Sequence, residues 1–111
     1  MTQYLISFDE GAMTFPAAEL PDVAEAAQAV ARAARAAGVW VFSAGVTDAV
    51  NASVVGTDGS VGNGRDDKAY VGGFAVVDVP SRAEALEWAA KIAVACRCAQ
   101  EVRELMPDPT A

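Results

Sequence analysis

The chain contains no histidine. That excludes Ser–His–Asp and Cys–His nucleophile arrangements, and any step that shuttles a proton on an imidazole near neutral pH. Cysteine is nearly absent as well: Cys96 and Cys98 are the only two. Residues two apart rarely meet disulfide geometry without strain. Two thiols without histidine cannot close a tetrahedral zinc site within one chain. No metal and no cofactor is therefore expected, and the pair reads as small reduced residues near a helix end. An intersubunit metal site or a redox pair is the other reading. Basic residues are few, 8 Lys and Arg against 15 Asp and Glu, for a net charge of −7. This argues against a nucleic-acid partner, which calls for a basic patch, and against an anionic membrane surface. No apolar run approaches the roughly 18–20 residues of a membrane span. The N-terminus has no basic region followed by an apolar one, so no signal peptide is expected and a cytoplasmic location is.

What is present is one domain's worth of small apolar residues. The chain has 111 residues, 53% of them hydrophobic, and Ala and Val dominate. A single domain of this length buries roughly two-thirds of its unfolded surface. Small side chains make thin cores, so further burial against a partner subunit is expected.

The organising stretch runs from Tyr70 to Met106. Tyr70–Val79 reads as a long strand, with Gly72-Gly73 marking a bulge or a close backbone approach. Ser81-Arg82-Ala83-Glu84 is a capping box that opens a helix running to about Val94–Cys96. Leu86, Ala89, Ala90 and Ala93 are expected to point inward, flanked by Trp88 and Ile92, with Glu87 and Lys91 paired on the solvent side. Gln100–Met106 reads as the last strand, and Pro107–Pro109 as a tail.

An earlier copy of the plan precedes it. Gln3–Phe8 is a strand by aromatic and β-branched content. Ala12–Leu20 is a loop with Phe15-Pro16 as its apolar anchor. Pro21-Asp22 starts a helix, with Asp22 and Glu25 as an alternative capping box. Val23, Ala26, Ala27, Val30, Ala33 and Ala37 trace its apolar face, and Gln28, Arg32 and Arg35 the opposite stripe. Gly38 suits the left-handed residue after the last turn. Val39–Val46 is a second strand, with Val39, Val41 and Ser43 on one face and Trp40, Phe42, Ala44 and Val46 on the other. Ala52–Val55 is a short strand, Thr57–Ser60 a turn, and Val61–Lys68 a polar, glycine-rich loop expected to be mobile. Two Gly and an Asn in that loop resemble a phosphate cradle only faintly, because no Lys-Ser/Thr and helix follow.

The order β-α-β-β-(β)-α-β predicts an α+β ferredoxin-like sandwich: an antiparallel sheet with two helices on one face. Strands 39–46 and 70–79 are apolar on both faces, whereas a sheet with one wet face should alternate. That predicts a face-to-face homodimer whose two sheets enclose a shared cavity.

Gly72-Gly73-Phe74, the run Glu84–Ile92, and Glu101-Val102-Arg103 resemble the YCII-related family, in its branch marked by an Asp-Gly-Pro-Phe motif. Tyr4-Leu5-Ile6 and Ala37-Gly38-Val39 also fit. The resemblance implies a dimeric α+β barrel. Some relatives are small lyase-like enzymes, such as chloromuconolactone dehydrochlorinases, with a histidine and an aspartate in the pocket. Here Gln28 stands where many relatives carry a histidine midway along the first helix. Asn63-Gly64 is the nearest match to the motif, with Asp58-Gly59 as the other alignment, and Lys68 matches the lysine that follows it. These departures argue against histidine-based acid/base chemistry.

The candidate ligand-binding residues are Arg103, Gln28, Glu101 and Asp48; no catalytic residue is assigned. Arg103 either pairs with Glu101 on the sheet surface or anchors a ligand carboxylate, for which its fork is suited. Gln28 is a solvated helix residue or a neutral pocket group. Asp9 and Asp48 read first as turn formers at strand ends, and Trp40 and Trp88 as core or interface residues. The expected function is binding of a small polar or anionic molecule in a cavity between sheet and helices. The alternative is a small lyase or isomerase with an Asp or Glu base of raised pKa. A carboxylate deep in the cavity would distinguish them.

Overall fold

The computed structural model describes residues 1–108. The elements follow in the order β1 (Thr2–Asp9), α1 (Leu20–Ala36), β2 (Trp40–Gly45), β3 (Ser53–Val55), β4 (Val61–Asn63), β5 (Val71–Val79), α2 (Arg82–Cys96) and β6 (Glu101–Glu104), with short 3₁₀ turns at Ala17–Glu19 and Ala49–Asn51. Four strands form one antiparallel sheet in the order β2-β5-β1-β6, and β3 pairs with β4 in a separate hairpin. The molecule is α+β. β1 and β2 are joined through α1 yet separated by β5; β5 and β6 are joined through α2 yet separated by β1. Each unit is thus split by a strand of the other. The predicted tail reaches Pro109, which lies outside the described residues.

Local sequence explains most element ends. Ser81 is the N-cap of α2, its Oγ accepting from the Glu84 amide at 3.2 Å. Gly38 has φ +75° after α1. Pro21 lies within the first turn of α1, but the helix starts one residue before it, so the alternative Asp22–Glu25 box does not form. Beyond α2, Arg97 adopts a left-handed φ of 59°, and its guanidinium meets Glu19 at 2.5 Å, tying the end of α2 to the start of α1.

Both helices pack on the sheet face that carries Tyr4, Ile6, Ala75, Val77 and Val79. Ile6, Val23, Val77 and Val79 are fully buried, each contributing roughly 1.5–3 kcal/mol. The helix faces differ from the expected ones. In α2 the inward residues are Ala85, Ala89, Ile92 and Cys96, at helical spacing, while Leu86 is 44% exposed. In α1 they are Val23, Ala27, Val30 and Ala34, while Ala33 and Ala37 are exposed. Alanine occupies so many positions around both helices that the apolar pattern does not select one stripe. Among the described residues, Glu87 and Lys91 form no ion pair; the Lys91 ammonium sits 4.4 Å from the Trp88 ring centroid instead. The loop before α1 is anchored by Met13, which packs on the core, and Phe15 is only half-buried.

A bulge corrects the reading of β2. Trp40 pairs with Val77 and Phe42 with Val76, so Val41 is an extra residue. Trp40 therefore shares the helix-side face with Ser43, while Phe42 and Ala44 share the other. A second bulge falls at Gly72, since Phe8 pairs with Gly73 and Asp9 with Val71. A Cβ on Gly72 would lie 2.9 Å from Glu10 Cα, and one on Gly73 would lie 2.6 Å from the Phe8 ring. Bulge and close approach both occur at this pair.

The segment expected to be a mobile loop from Val61 is in part β4. Gly59 at φ +85° and the Ser60 amide bound to Asp58 Oδ1 at 2.9 Å close the turn that pairs it with β3.

Candidate functional site

A cleft of about 590 Å³ opens between the helix-side face of the sheet and α1. Such a volume is in the range of small-molecule sites. Ile6, Phe8 and Ala75 form its sheet wall; Val30 and Ile92 contribute from the helices. Its polar groups are Gln28, Arg32 and Arg35 from α1, Trp40 and Ser43 from β2, and Gln100. None of the residues lining it is Asp or Glu. In a chain of net charge −7, this is a locally cationic hollow.

The local sequence places these groups. On α1, Gln28, Arg32 and Arg35 lie a step around the helix from the inward stripe, at the mouth of the cleft. The β2 bulge turns Trp40 onto the same side. Gly45 pairs with Gly73 across β2 and β5, leaving that part of the wall without side chains. Arg35 Cζ lies 5.9 Å from the centre of the Trp40 ring. Arg32 is engaged with Glu25 at 2.6 Å. Gln100 donates to the Cys98 carbonyl at 3.3 Å. The Trp40 indole N–H is buried without an acceptor. An orphan buried donor costs about 1–3 kcal/mol, and this one belongs to a residue that lines an open cleft.

The four sequence-proposed residues are not brought together. Gln28 lines the cleft. Arg103 pairs in register with Leu5, and Glu101 with Ser7. Since Ile6 and Val102 face the helices, strand alternation puts Arg103 and Glu101 on the opposite, open face of the sheet. Both are exposed, and among the described residues Arg103 makes no ion pair, with Glu101 or otherwise. Asp48 caps the 3₁₀ turn, its Oδ1 accepting from the Val50 amide at 3.0 Å, which is the turn-forming role. Asp9 ends β1, its carbonyl accepting from Ala12 at 3.1 Å. Trp88 is half-buried against the core. Arg32, Arg35, Trp40 and Gln100 were not read as site residues. A polar stripe on a helix carries no mark of whether a cleft lies beside it, and the bulge that turns Trp40 leaves no signal in its own strand.

Asn63, Gly64 and Lys68 lie elsewhere, around a hollow of about 490 Å³ that Glu10 and Tyr70 also line. Three of its charged residues are already engaged. Arg65 grips Asp67 at 3.0 and 2.8 Å, Lys68 sits 4.2 Å from the Tyr70 ring centre, and Glu10 accepts from the Ala49 amide at 2.8 Å. A Cβ on Gly64 would meet the Tyr70 hydroxyl at 2.8 Å.

Cys96 is buried and Cys98 half-buried, both as free thiols. Burial, and then the neighbouring Cys98, push the Cys96 thiol above its ordinary pKa; burial raises Cys98, partly opposed by a hydrogen bond from Gln100. Both therefore stay protonated at neutral pH. Among the described residues no cluster of three or more His, Cys, Asp or Glu side chains could share a metal ion, and no helix is long and apolar enough to cross a membrane.

Residues 4–107 match the YCII-related domain family, nearly the whole chain and every element of the sheet and helices. The protein belongs to the YCII-related family. Comparison with curated proteins gives no match. The matched extent of this YCII-related chain includes both clefts and both strand–helix–strand units.

Proposed function

We propose that this YCII-related protein is a homodimeric, ferredoxin-like α+β barrel that binds a small polar or anionic molecule between sheet and α1, without histidine chemistry. The observation that carries the reading is the cleft of about 590 Å³ lined by Arg32, Arg35 and Gln28 and by no carboxylate. Such a lining offers donors and positive charge, and it offers no group to take a proton from a substrate. Binding is therefore the proposal rather than a carboxylate-based lyase.

The split order β2-β5-β1-β6 supports the ferredoxin-like assignment. The dimer is supported by the open sheet face, where Leu5, Phe42 and Phe74 lie and Phe42 is exposed, and by a molecule only 18 Å thick. Arg103 and Glu101 would then line the space between facing sheets. Asn63-Gly64, the nearest match to the Asp-Gly-Pro-Phe motif, supports setting the chain beside that branch, with Asp58-Gly59 as the other alignment.

A thermal-shift screen of small carboxylates and lactones tests the binding reading. At least one compound should raise the unfolding temperature of the parent. No shift from any of them at millimolar concentration, or turnover that disappears on changing one acidic residue, would remove it.

A further inference from the structure

Taken as the binding site proposed above, the α1 cleft has polar groups that are not equivalent. Arg32 is already neutralised by Glu25 at 2.6 Å. Arg35 makes no ion pair among the described residues, and its guanidinium lies over the Trp40 indole, 5.9 Å from the ring centre. The Trp40 N–H is buried and lacks an acceptor. One unpaired positive charge thus lies beside an aromatic ring, in a cleft whose apolar wall is Ile6, Phe8, Val30, Ala75 and Ile92.

We propose that the ligand is a monocarboxylate with an apolar body and no cationic group, its carboxylate held by the Arg35 guanidinium beside the Trp40 ring. A guanidinium in a lining without carboxylates selects an anion, and a planar carboxylate presents two oxygens to its fork. A single free charge matches a single negative charge better than a phosphate dianion. With no Asp or Glu in the lining, a ligand ammonium would be desolvated without a partner. The apolar wall takes the rest of the molecule. This inference depends on the cleft being the binding site, and its test separates the two.

Four probes share one ring or one headgroup: phenylacetate, phenylacetamide, 2-phenylethylamine and acetate. Titration in a Trp88→Phe background leaves Trp40 as the only tryptophan reporter, and calorimetry on the parent checks the values. Phenylacetate should bind about tenfold or more tighter than the amide and the amine, with acetate weaker again. Arg35→Met, which keeps the stem and removes the charge, should lose about tenfold for phenylacetate and leave the amide unchanged. Arg35 is exposed, and circular dichroism should show the fold intact. Equal affinity for amide and carboxylate overturns the inference, as does parent-like binding by Arg35→Met, or loss in Arg103→Met on the opposite face. In the first two cases a small molecule still binds and the broader reading stands; loss in Arg103→Met instead moves the site to the open face and removes both. If no probe binds, the inference falls too, and the lactones of the thermal-shift screen then decide the broader reading alone.

Discussion

At the residue scale, the Gly72-Gly73 pair shows how one missing side chain shapes the sheet. Gly72 is the bulged residue, and its Cα faces the Glu10 backbone, where a Cβ would lie 2.9 Å from Cα and 3.0 Å from N. Backbone cannot swing aside as a side-chain tip can. Gly72→Ala should therefore destabilise the protein by about 1–3 kcal/mol in denaturant unfolding. Gly45→Ala, with nothing within 4 Å of its Cβ, should stay within about 0.5 kcal/mol of the parent. Equal effects would mean that the close approach is not what constrains Gly72. Arg103 makes the contrasting case. It is exposed on the open face and makes no ion pair among the described residues, so Arg103→Ala should cost no more than about 1 kcal/mol of stability. Ligand affinity in the α1 cleft should be unchanged, as calorimetry would report.

At the element scale, α2 depends on its cap and the β3–β4 hairpin on its turn. Ser81→Ala removes the acceptor of the Glu84 amide, and thermal unfolding should show a loss of about 0.5–2 kcal/mol. The hairpin is held differently. The Ser60 hydroxyl, and then its amide, hold the Asp58 carboxyl below the ordinary value of 3.8, and the Arg65 guanidinium does the same to Asp67. Both folded pKa values lie below the unfolded ones. The stabilisation is thus complete above the ordinary carboxylate value and is lost as pH falls through the depressed folded values. Amide exchange across residues 56–68, corrected for intrinsic rates, should gain relative to the sheet as pH drops from about 6 to below 3. Exchange that tracks the sheet at both pH values would show that these contacts do not hold the turn.

At the scale of the whole molecule, the single chain exposes more surface than a compact monomer should. Its accessible area is 7406 Å², roughly 1,600 Å² more than a compact monomer of its mass exposes. The Cα radius of gyration is 15.8 Å, against about 13 Å for a compact chain of this length. The excess has two visible sources. The open sheet face leaves Phe42 52% exposed, its ring edge-on to Phe74 at 5.4 Å. The hairpin leaves Val55 and Val61 in solvent, and an isolated two-stranded hairpin is at best marginally stable in water. A second copy laid on the open face would bury Phe42. Sedimentation velocity at micromolar concentration should report a dimer, and Phe42→Asp should shift it to monomer while far-ultraviolet circular dichroism stays unchanged. A parent that sediments as a stable monomer would end the dimer reading.

The sequence by itself determined what depends on neighbours along the chain. Ser81 with Glu84 set the start of α2, Gly38 the end of α1, and Asp58-Gly59 a turn. Gly72-Gly73 flagged an irregular strand, and two strand–helix–strand units in series fixed an α+β sheet with two helices. Each is a matter of one to four residues of backbone chemistry. The missing histidine likewise excluded whole classes of mechanism without any coordinates. Only the tertiary structure decided which way the side chains face. Helices rich in alanine have no single apolar stripe, so their inward faces came from packing on Ile6, Val77 and Val79. One extra residue at Val41 reversed the alternation of β2 and carried Trp40 to the helix side. Strand register then put Arg103 and Gln28 on opposite sides of the sheet, although both are polar residues on amphipathic elements. Side-chain direction in a sheet has a period of two, so a one-residue shift inverts it, and that shift is set by partners far away in the chain.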